Sequence, residues 1–298
     1  MAERFRDPGD VQERLHRAGY LADEAIASAL FLADRLEKPV LVEGPAGVGK
    51  TELAKTLATI VGARLLRLQC YEGLDESRAL YEWNYRKQLL RIQAGGDARR
   101  AIDWSSVEED IFSEPFLLER PLLEAIRATD DVVLLIDEVD RLEVETEALL
   151  LEVLAEFQVT IPELGTLRGT RRPLVVLTSN NTRELSEALR RRCLYLAIDY
   201  PALERERAIL HARIPGIEEA LALQVARVVR AARRLDLHKS PSIGESIDWA
   251  RALMALGYRE VTPEALAQTL PVLIKSRSDL ITASRELRSG DNPVSPDR

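Results

Sequence analysis

The chain has 298 residues, with 41 Lys and Arg against 49 Asp and Glu, a formal net charge of −8 and a sequence pI near 5.2. That acidic total speaks against a sequence-tolerant nucleic-acid binder, whose affinity rests on Lys and Arg neutralising phosphates. Hydrophobic residues at 46 % and charged residues at 30 % exclude a mainly disordered chain, and aromatics at only 5 % leave Leu, Val, Ile and Ala to build the core.

The first residues, MAERFRDPGD, carry charges of both signs where a signal peptide would carry an apolar core. The longest apolar runs fall far short of the ~20 residues that span a bilayer. A cytoplasmic location is therefore expected. Cys70 and Cys193 stand outside any CxxC or Cys/His spacing and read as small hydrophobes, with neither a disulfide framework nor a structural metal site.

Five short apolar runs are predicted as strands: Val40–Val42, Leu65–Leu68, Val132–Ile136, Leu174–Leu177 and Leu194–Ile198. Runs that are apolar throughout suit strands covered on both faces, so the expected fold class is α/β, a parallel sheet with helices on either side. The first run enters Gly44-Pro45-Ala46-Gly47-Val48-Gly49-Lys50-Thr51, a full match to G-x4-G-K-[ST]. Glycines there let backbone N–H groups turn inward around an anion at a helix N-terminus. Lys50 would reach β- and γ-phosphates and the Thr51 hydroxyl would ligate Mg²⁺. A helix follows, with Leu53, Ala54, Leu57, Ala58 and Val61 on one face.

The third predicted strand ends in Asp137-Glu138. An acid at that point can hold Mg²⁺ from its second shell, and a neighbouring carboxylate facing the γ-phosphate can activate water. Helical spacing then runs from Glu145 to Phe157, with Leu149, Leu150, Val153, Leu154 and Phe157 as the buried stripe. The fourth strand ends in Thr178-Ser179-Asn180, where Asn180 could bond the attacking water; taken alone, Ser179-Asn180-Asn181 also reads as a helix cap or turn. Next comes Leu189-Arg190-Arg191-Arg192. These arginines suit either a basic helix end or an arginine finger offered in trans to a neighbouring subunit's nucleotide, with Arg192 the first choice and Arg191 the second.

After Tyr200-Pro201 the pattern is helical throughout, with stretches Ala208–Ile214, Leu221–Leu235, Ile247–Leu256 and Pro263–Leu273 separated by Pro and Gly breaks. Residues 1–200 are thus expected to form the α/β domain, 201–285 an all-helical domain and 286–298 a disordered tail. His16, His211 and His238 share no spacing and read as ordinary surface or satisfied residues, not as metal ligands or proton shuttles.

The motifs GPAGVGKT, LLIDEVDR, LTSNN and EALRRRC occur in the order found in AAA+ ATPases, and the chain resembles that family from about Leu21 to Leu273. The resemblance implies a five-stranded αβα P-loop core, a small helical lid, and a homo-oligomer, usually a hexameric ring with Mg·ATP at subunit interfaces. Two further stretches resemble the MoxR group: a second-helix insert over about 70–95, containing CYEGLD and ALYEW, and a hairpin over about 156–170, opening with EFQVTIP. In that group such segments face the ring pore. The combination YEGLD, ALYEWNY, ERPLL, ALRRRCLY and SPSIGESIDW is most similar to the CoxD-type branch. That branch implies a chaperone role in maturing the metal centre of a carbon monoxide dehydrogenase-like molybdenum hydroxylase, with a von Willebrand A-domain partner and an apo-hydroxylase client.

One position departs from the group. Where many MoxR-like lids carry Ser-Pro-Arg, this chain reads Ser240-Pro241-Ser242, so the lid cation is missing unless Lys239 takes its place. The function expected is Mg-dependent ATP hydrolysis that drives remodelling of a protein client, with no nucleic-acid partner and only indirect membrane contact. The alternatives are a nucleotide-switched adaptor with slow turnover and, further off, a DNA-acting motor. Tyr71, Tyr81, Trp83 and Tyr85 cluster in the insert and are expected to form a surface for a partner.

Overall fold

The computed structural model describes residues 4–95 and 110–289. In chain order its strands are β1 (Val40–Glu43), β2 (Arg64–Gln69), β3 (Tyr81–Trp83), β4 (Leu117–Glu119), β5 (Val132–Asp137), β6 (Gln158–Ile161), β7 (Gly165–Arg168), β8 (Leu174–Ser179) and β9 (Leu194–Ala197). The helices are α1 (Pro8–Arg17), α2 (Glu24–Leu36), α3 (Lys50–Val61), α4 (Glu76–Ala79), α5 (Tyr85–Gly95), α6 (Pro121–Arg127), α7 (Val144–Glu156), α8 (Glu187–Arg192), α9 (Leu203–Arg213), α10 (Glu219–Arg233), α11 (Ile243–Ala255), α12 (Pro263–Leu273) and α13 (Arg277–Ser289). Contacts divide the chain into two units. The first contains Glu24–Glu43 and Leu53–Ala197; the second contains Gln12–Asp23, Gly44–Glu52 and the residues from Ile198 onward.

In the first unit, all five predicted apolar runs become strands of one sheet, ordered β2-β5-β8-β1-β9 and parallel at every pairing. The α/β class read from the sequence is the one observed. Strands β5 and β8 are buried at every position, as continuous apolar runs require. Strand β2 lies at the edge, and its burial alternates: Leu66 and Leu68 are buried while Arg67 and Gln69 are exposed. Its register sets Gln69 opposite Asp137 and Arg67 opposite Leu135, so these polar side chains share the sheet face of the β5 acid. Helix α3 buries Leu53, Ala54, Leu57 and Ala58, and α7 buries Leu150, Val153 and Leu154 along with Glu147.

Two small antiparallel pairs stand beside the main sheet. Strands β6 and β7 form the hairpin expected at about 156–170, and β3 pairs with β4, with Trp83 opposite Leu117. The aromatic cluster differs from expectation. Trp83 is buried at 7 % exposure and meets Phe112 and Tyr81 edge-on at 5.2 and 6.2 Å, so it serves the core; Tyr71 and Tyr85 alone of the four are exposed. The reason is register, which turns Trp83 toward the apolar cluster that also holds Phe116 and Leu117.

In the second unit, α9 to α13 enclose a core of Val225, Val229, Trp249, Leu253, Leu266 and Leu270, where each fully buried aliphatic side chain contributes ~1.5–3 kcal/mol. Trp249 Nε1 donates to Thr269 Oγ1 at 2.7 Å, which satisfies its buried polar edge. Helix α11 starts in a reciprocal cap: Ser242 Oγ accepts the Glu245 N–H at 3.1 Å, and Glu245 Oε2 accepts the Ser242 N–H at 2.7 Å. Thr262 caps α12, with Pro263 at its first position. Helix α13 continues to Ser289, inside the stretch expected as a tail from 286, and residues 290–298 of that tail lie outside the described residues. Among the described residues no helix is long and apolar enough to cross a membrane.

Candidate functional site

The residues singled out from the sequence fall in both units, and each group is taken by itself. In the second unit, the loop Gly44–Gly49 follows β1 directly and leads into α3 at Lys50 and Thr51. Two of its glycines are obligatory on geometric grounds. A Cβ on Gly44 would lie 1.9 Å from the Ile198 carbonyl oxygen. Gly47 has φ +76°, and a Cβ there would lie 2.2 Å from Ser242 Cβ. The Gly47 carbonyl accepts the Ile243 N–H at 3.1 Å, and Ala46 O accepts the Tyr200 hydroxyl at 3.4 Å. Pro45 and Val48 complete the turn, Val48 with its side chain buried. Lys50 is only 6 % exposed; its Nζ donates to Gly44 O at 2.7 Å and Pro45 O at 2.8 Å.

A cavity of about 240 Å³ opens beside this loop, lined by Tyr20, Val48, Ile198, Ile209, Ile243 and Ile247 among others. Burial pushes the Tyr20 phenol up to about 12, against a smaller opposing pull from Arg205. Arg205 anchors the segment after Tyr20, donating to Asp23 Oδ2 at 2.5 Å and Leu21 O at 2.7 Å, and Arg213 donates to Glu52 at 3.0 Å. The sequence reading missed this wall: nothing in GYLAD, read alone, marks Tyr20 as part of a cleft.

The structure places Lys239 at the surface. Its side chain is 64 % exposed, with Nζ 3.7 Å from Glu245 Oε1. Ser242 is occupied as the α11 cap.

In the first unit, the carboxyl edge of the sheet gathers Asp137, Glu138, Thr178 and Asn180. Asp137 is 2 % exposed. Its Oδ1 accepts the Thr178 hydroxyl at 2.5 Å; its Oδ2 accepts Arg67 Nε at 3.0 Å and Nη2 at 2.5 Å. Glu138 adopts φ 57° and ψ 48°, a left-handed conformation that costs a non-glycine residue on the order of 1 kcal/mol and persists where surrounding bonds hold it. Here the Glu138 N–H donates to Thr178 Oγ1 at 2.9 Å, and the carboxylate pairs with Arg141 Nε at 2.9 Å. Asp140, 3 % exposed, accepts the N–H groups of Asn180 at 3.2 Å and Thr182 at 3.0 Å, and the Thr182 hydroxyl at 2.6 Å. Burial raises its carboxyl, but these donors outweigh it and hold the pKa below the usual carboxylate range. Asp140 thereby fixes the turn that presents Asn180.

The structure thus brings Asp137, Glu138 and Asn180 together through two connectors the sequence reading left without roles, Thr178 and Asp140, and adds Arg67 from β2. The arginines of α8 are separate from this group in their contacts. Arg191 pairs with Glu187 one turn back, Arg192 Nη1 donates to Ala188 O at 3.1 Å, and the Arg190 guanidinium lies 5.9 Å from the Tyr195 ring centre. All three are exposed. Burial also pushes the Cys70 and Cys193 thiols up to about 12, in keeping with their reading as small hydrophobes.

Among the described residues no group of three or more His, Cys, Asp or Glu side chains could hold a metal ion by itself. The oxygen donors expected from the sequence lie one in each unit, the Thr51 hydroxyl in the second and, for metal-bound water, the Asp137 carboxylate in the first. Both are hard oxygens, which suit Mg²⁺, an ion that takes one or two protein ligands and fills its shell with water and phosphate.

Residues 39–193, just over half of the chain, match the AAA domain of the dynein-related subfamily. The chain belongs to this AAA domain family. Curated relatives include uncharacterized proteins of Staphylococcus aureus (strain bovine RF122 / ET3-1), 28 % identical over 180 residues, and of Staphylococcus haemolyticus, 28 % identical over 188. These alignments cover 58 % and 60 % of this chain, which spans 59 % and 62 % of the relatives' length. Among solved structures, the Holliday junction branch migration motor RuvB of Thermotoga maritima aligns with a TM-score of 0.48 at 19 % identity, over 83 % of this chain and 67 % of that one. The AAA domain match takes in β1 to β8, from the loop at Gly44–Thr51 to the arginines of α8.

Proposed function

We propose that this protein binds Mg·ATP and hydrolyses it, and that turnover drives remodelling of a protein client by a ring of identical subunits. The observation that carries the reading is the Lys50 ammonium, buried in a glycine loop beside an apolar cleft. A buried cation needs partners. Gly44 O and Pro45 O hold it here, and phosphate oxygens would be stronger acceptors on the same lysine. The cleft beside the loop, with apolar walls from Ile198, Ile243 and Ile247 and polar groups among them, suits the flat apolar faces and polar edge of a nucleotide base. In this reading Gly44, Pro45, Ala46, Gly47, Val48 and Gly49 would cradle the phosphates, Thr51 would hold Mg²⁺ directly and Asp137 from its second shell, and the ion would supply positive charge to offset that of the phosphates. Glu138 takes a proton from the attacking water, Asn180 orients that water, and Arg192, or failing it Arg191, reaches the nucleotide of a neighbouring copy.

The finer assignment rests on the sequence resemblance to the MoxR group and its CoxD-type branch. It is supported by the insert and hairpin motifs, and it names an apo molybdenum hydroxylase as client with a von Willebrand A-domain partner. Lys50→Ala is expected to abolish binding of a fluorescent ATP analogue. Glu138→Gln should keep binding and lose turnover by at least about a hundredfold, the usual weight of a general base. Wild-type turnover by Glu138→Gln would overturn the catalytic reading. Capture on the same variant should recover the hydroxylase; nucleic acid alone would sink the chaperone assignment.

A second reading, a nucleotide-switched adaptor with slow turnover, is favoured by one observation: Ser242 caps α11 where a lid arginine would stand, and Lys239 faces Glu245. Turnover that stays slow in the presence of the partner and client would select it.

A further inference from the structure

We propose that Arg67 is a positioning residue of the Mg²⁺ site, holding Asp137 by one of its two carboxylate oxygens, so that arginine and metal would compete for one carboxylate. The inference rests on the Mg·ATP reading above and adds to it a residue outside every motif of that reading.

Asp137 is almost fully enclosed, and an unpaired carboxylate in that position is strongly disfavoured. Two side chains are among the groups that balance it. The Thr178 hydroxyl bonds Oδ1, and the Arg67 fork places Nε at 3.0 Å and Nη2 at 2.5 Å on Oδ2. The two partners differ in freedom. Thr178 is buried in the central strand β8, while Arg67 is 47 % exposed on the edge strand β2. Arg67 can therefore swing toward water once another cation balances Asp137, whereas Thr178 is held in the sheet. A second acceptor is already in place: Nη2 also donates to Gln69 Oε1 at 2.5 Å, two residues along the same strand and on the same face.

A guanidinium on Oδ2 opposes a divalent cation in two ways. It uses the lone pairs that metal-bound water would donate to, and its positive charge repels the ion across a short, partly buried distance. Linkage makes the effect reciprocal: what Arg67 costs the metal, the metal costs the Arg67–Asp137 pair. The arginine thus keeps the acid aimed until metal arrives, and sets the metal concentration at which the site fills.

The test uses Mn²⁺ with a non-hydrolysable ATP analogue, followed by the loss of free Mn²⁺ signal in electron paramagnetic resonance. Arg67→Met keeps the length of the side chain and removes its charge. It should lower the Mn²⁺ concentration for half-saturation by about tenfold, the weight of one charge-assisted pair. Arg67→Lys, which keeps the charge without the fork and is the milder change for folding, should lower it by about threefold. Melting in EDTA should show Arg67→Met less stable than wild type, with the gap closing once Mn²⁺ and analogue are added. A residue with a merely structural role would leave the same gap under both conditions. If wild type binds the metal and analogue and neither variant binds Mn²⁺ more tightly, the Arg67 proposal is overturned while the ATP reading stands. If wild type binds neither, both fall together.

Discussion

The Thr178 hydroxyl donates to Asp137 Oδ1 at 2.5 Å across the β5–β8 pairing, and Thr178 Oγ1 in turn accepts the Glu138 N–H at 2.9 Å. One side chain therefore sets the pose of two consecutive acids. Thr178→Val keeps the shape and removes both bonds, leaving Asp137 without one of its donors. The expected loss is ~1–3 kcal/mol of stability, read by urea denaturation, together with slower ATP turnover at unchanged nucleotide affinity. A variant equal to wild type in both measurements would remove Thr178 from this role.

A trans role for Arg192 makes a prediction that a cis role does not. Arg192→Ala and Glu138→Gln should each be inactive alone. Mixed in equal amounts they should regain turnover at about a quarter of their interfaces, where an intact Glu138 meets an intact arginine from the adjoining copy. No recovery on mixing would show that the arginine acts within its own chain or not at all. Repeating the mixture with Arg191→Ala tests the second choice.

The helical unit carries an ion pair of a kind that tolerates no half-measures. Arg233 and Glu206 are 7 % and 1 % exposed in their side chains and bond at 2.5 and 2.9 Å, with the Ser246 hydroxyl donating to Glu206 at 2.9 Å. Arg233 also donates to Pro241 O at 2.8 Å and lies 4.3 Å from the centre of the Tyr200 ring. Glu206→Ala leaves the guanidinium buried without its carboxylate and should cost ~3–5 kcal/mol, seen as a large fall in melting temperature. Replacing Glu206 and Arg233 together by Leu and Met should cost much less.

His238 gives a pH-dependent prediction. Its Nδ1 lies 2.9 Å from Asp279 Oδ1, and the hydrogen bond and charge of Asp279 raise the imidazole above its ordinary 6.5. A raised histidine contributes stability in full below 6.5, and that contribution is lost as pH rises through the shifted midpoint. The His238 hydrogen bond likewise lowers the Asp279 carboxyl below its ordinary 3.8, and that contribution is present above 3.8 and lost as pH falls through the lowered midpoint. The pair is thus most favourable between those ordinary values. A proton NMR titration should find His238 above 6.5, and Asp279→Asn should bring it back toward that value.

Much of the fold was legible because its signals are local. The apolar runs around Val132–Asp137 and Leu174–Ser179 announce strands covered on both faces, and GPAGVGKT announces an anion loop between strand and helix. What escaped the reading depends on partners far apart in the chain. Glu147 looks like one more acid on a helix, yet it is 1 % exposed and accepts bonds from Arg183 and the Ser186 N–H. Trp83 looks like a candidate for the surface of an insert, yet β3–β4 pairing turns it into the core.

The amino-acid sequence by itself determined the strands, the glycine loop with Lys50 and Thr51, the acids that end β5 and the membership of the AAA domain family, because each is written in consecutive residues or a short period. Tertiary structure decided what those residues touch. Thr178 and Asp140 became the connectors of the acidic edge, Tyr20 became a wall of the cleft, and Arg67 came to hold Asp137. The bonds join residues 40, 41 and 70 positions apart, and the cleft wall at Tyr20 shares its cavity with residues as far along the chain as Ile247; it is sheet register and helix placement, which no local pattern encodes, that bring them together.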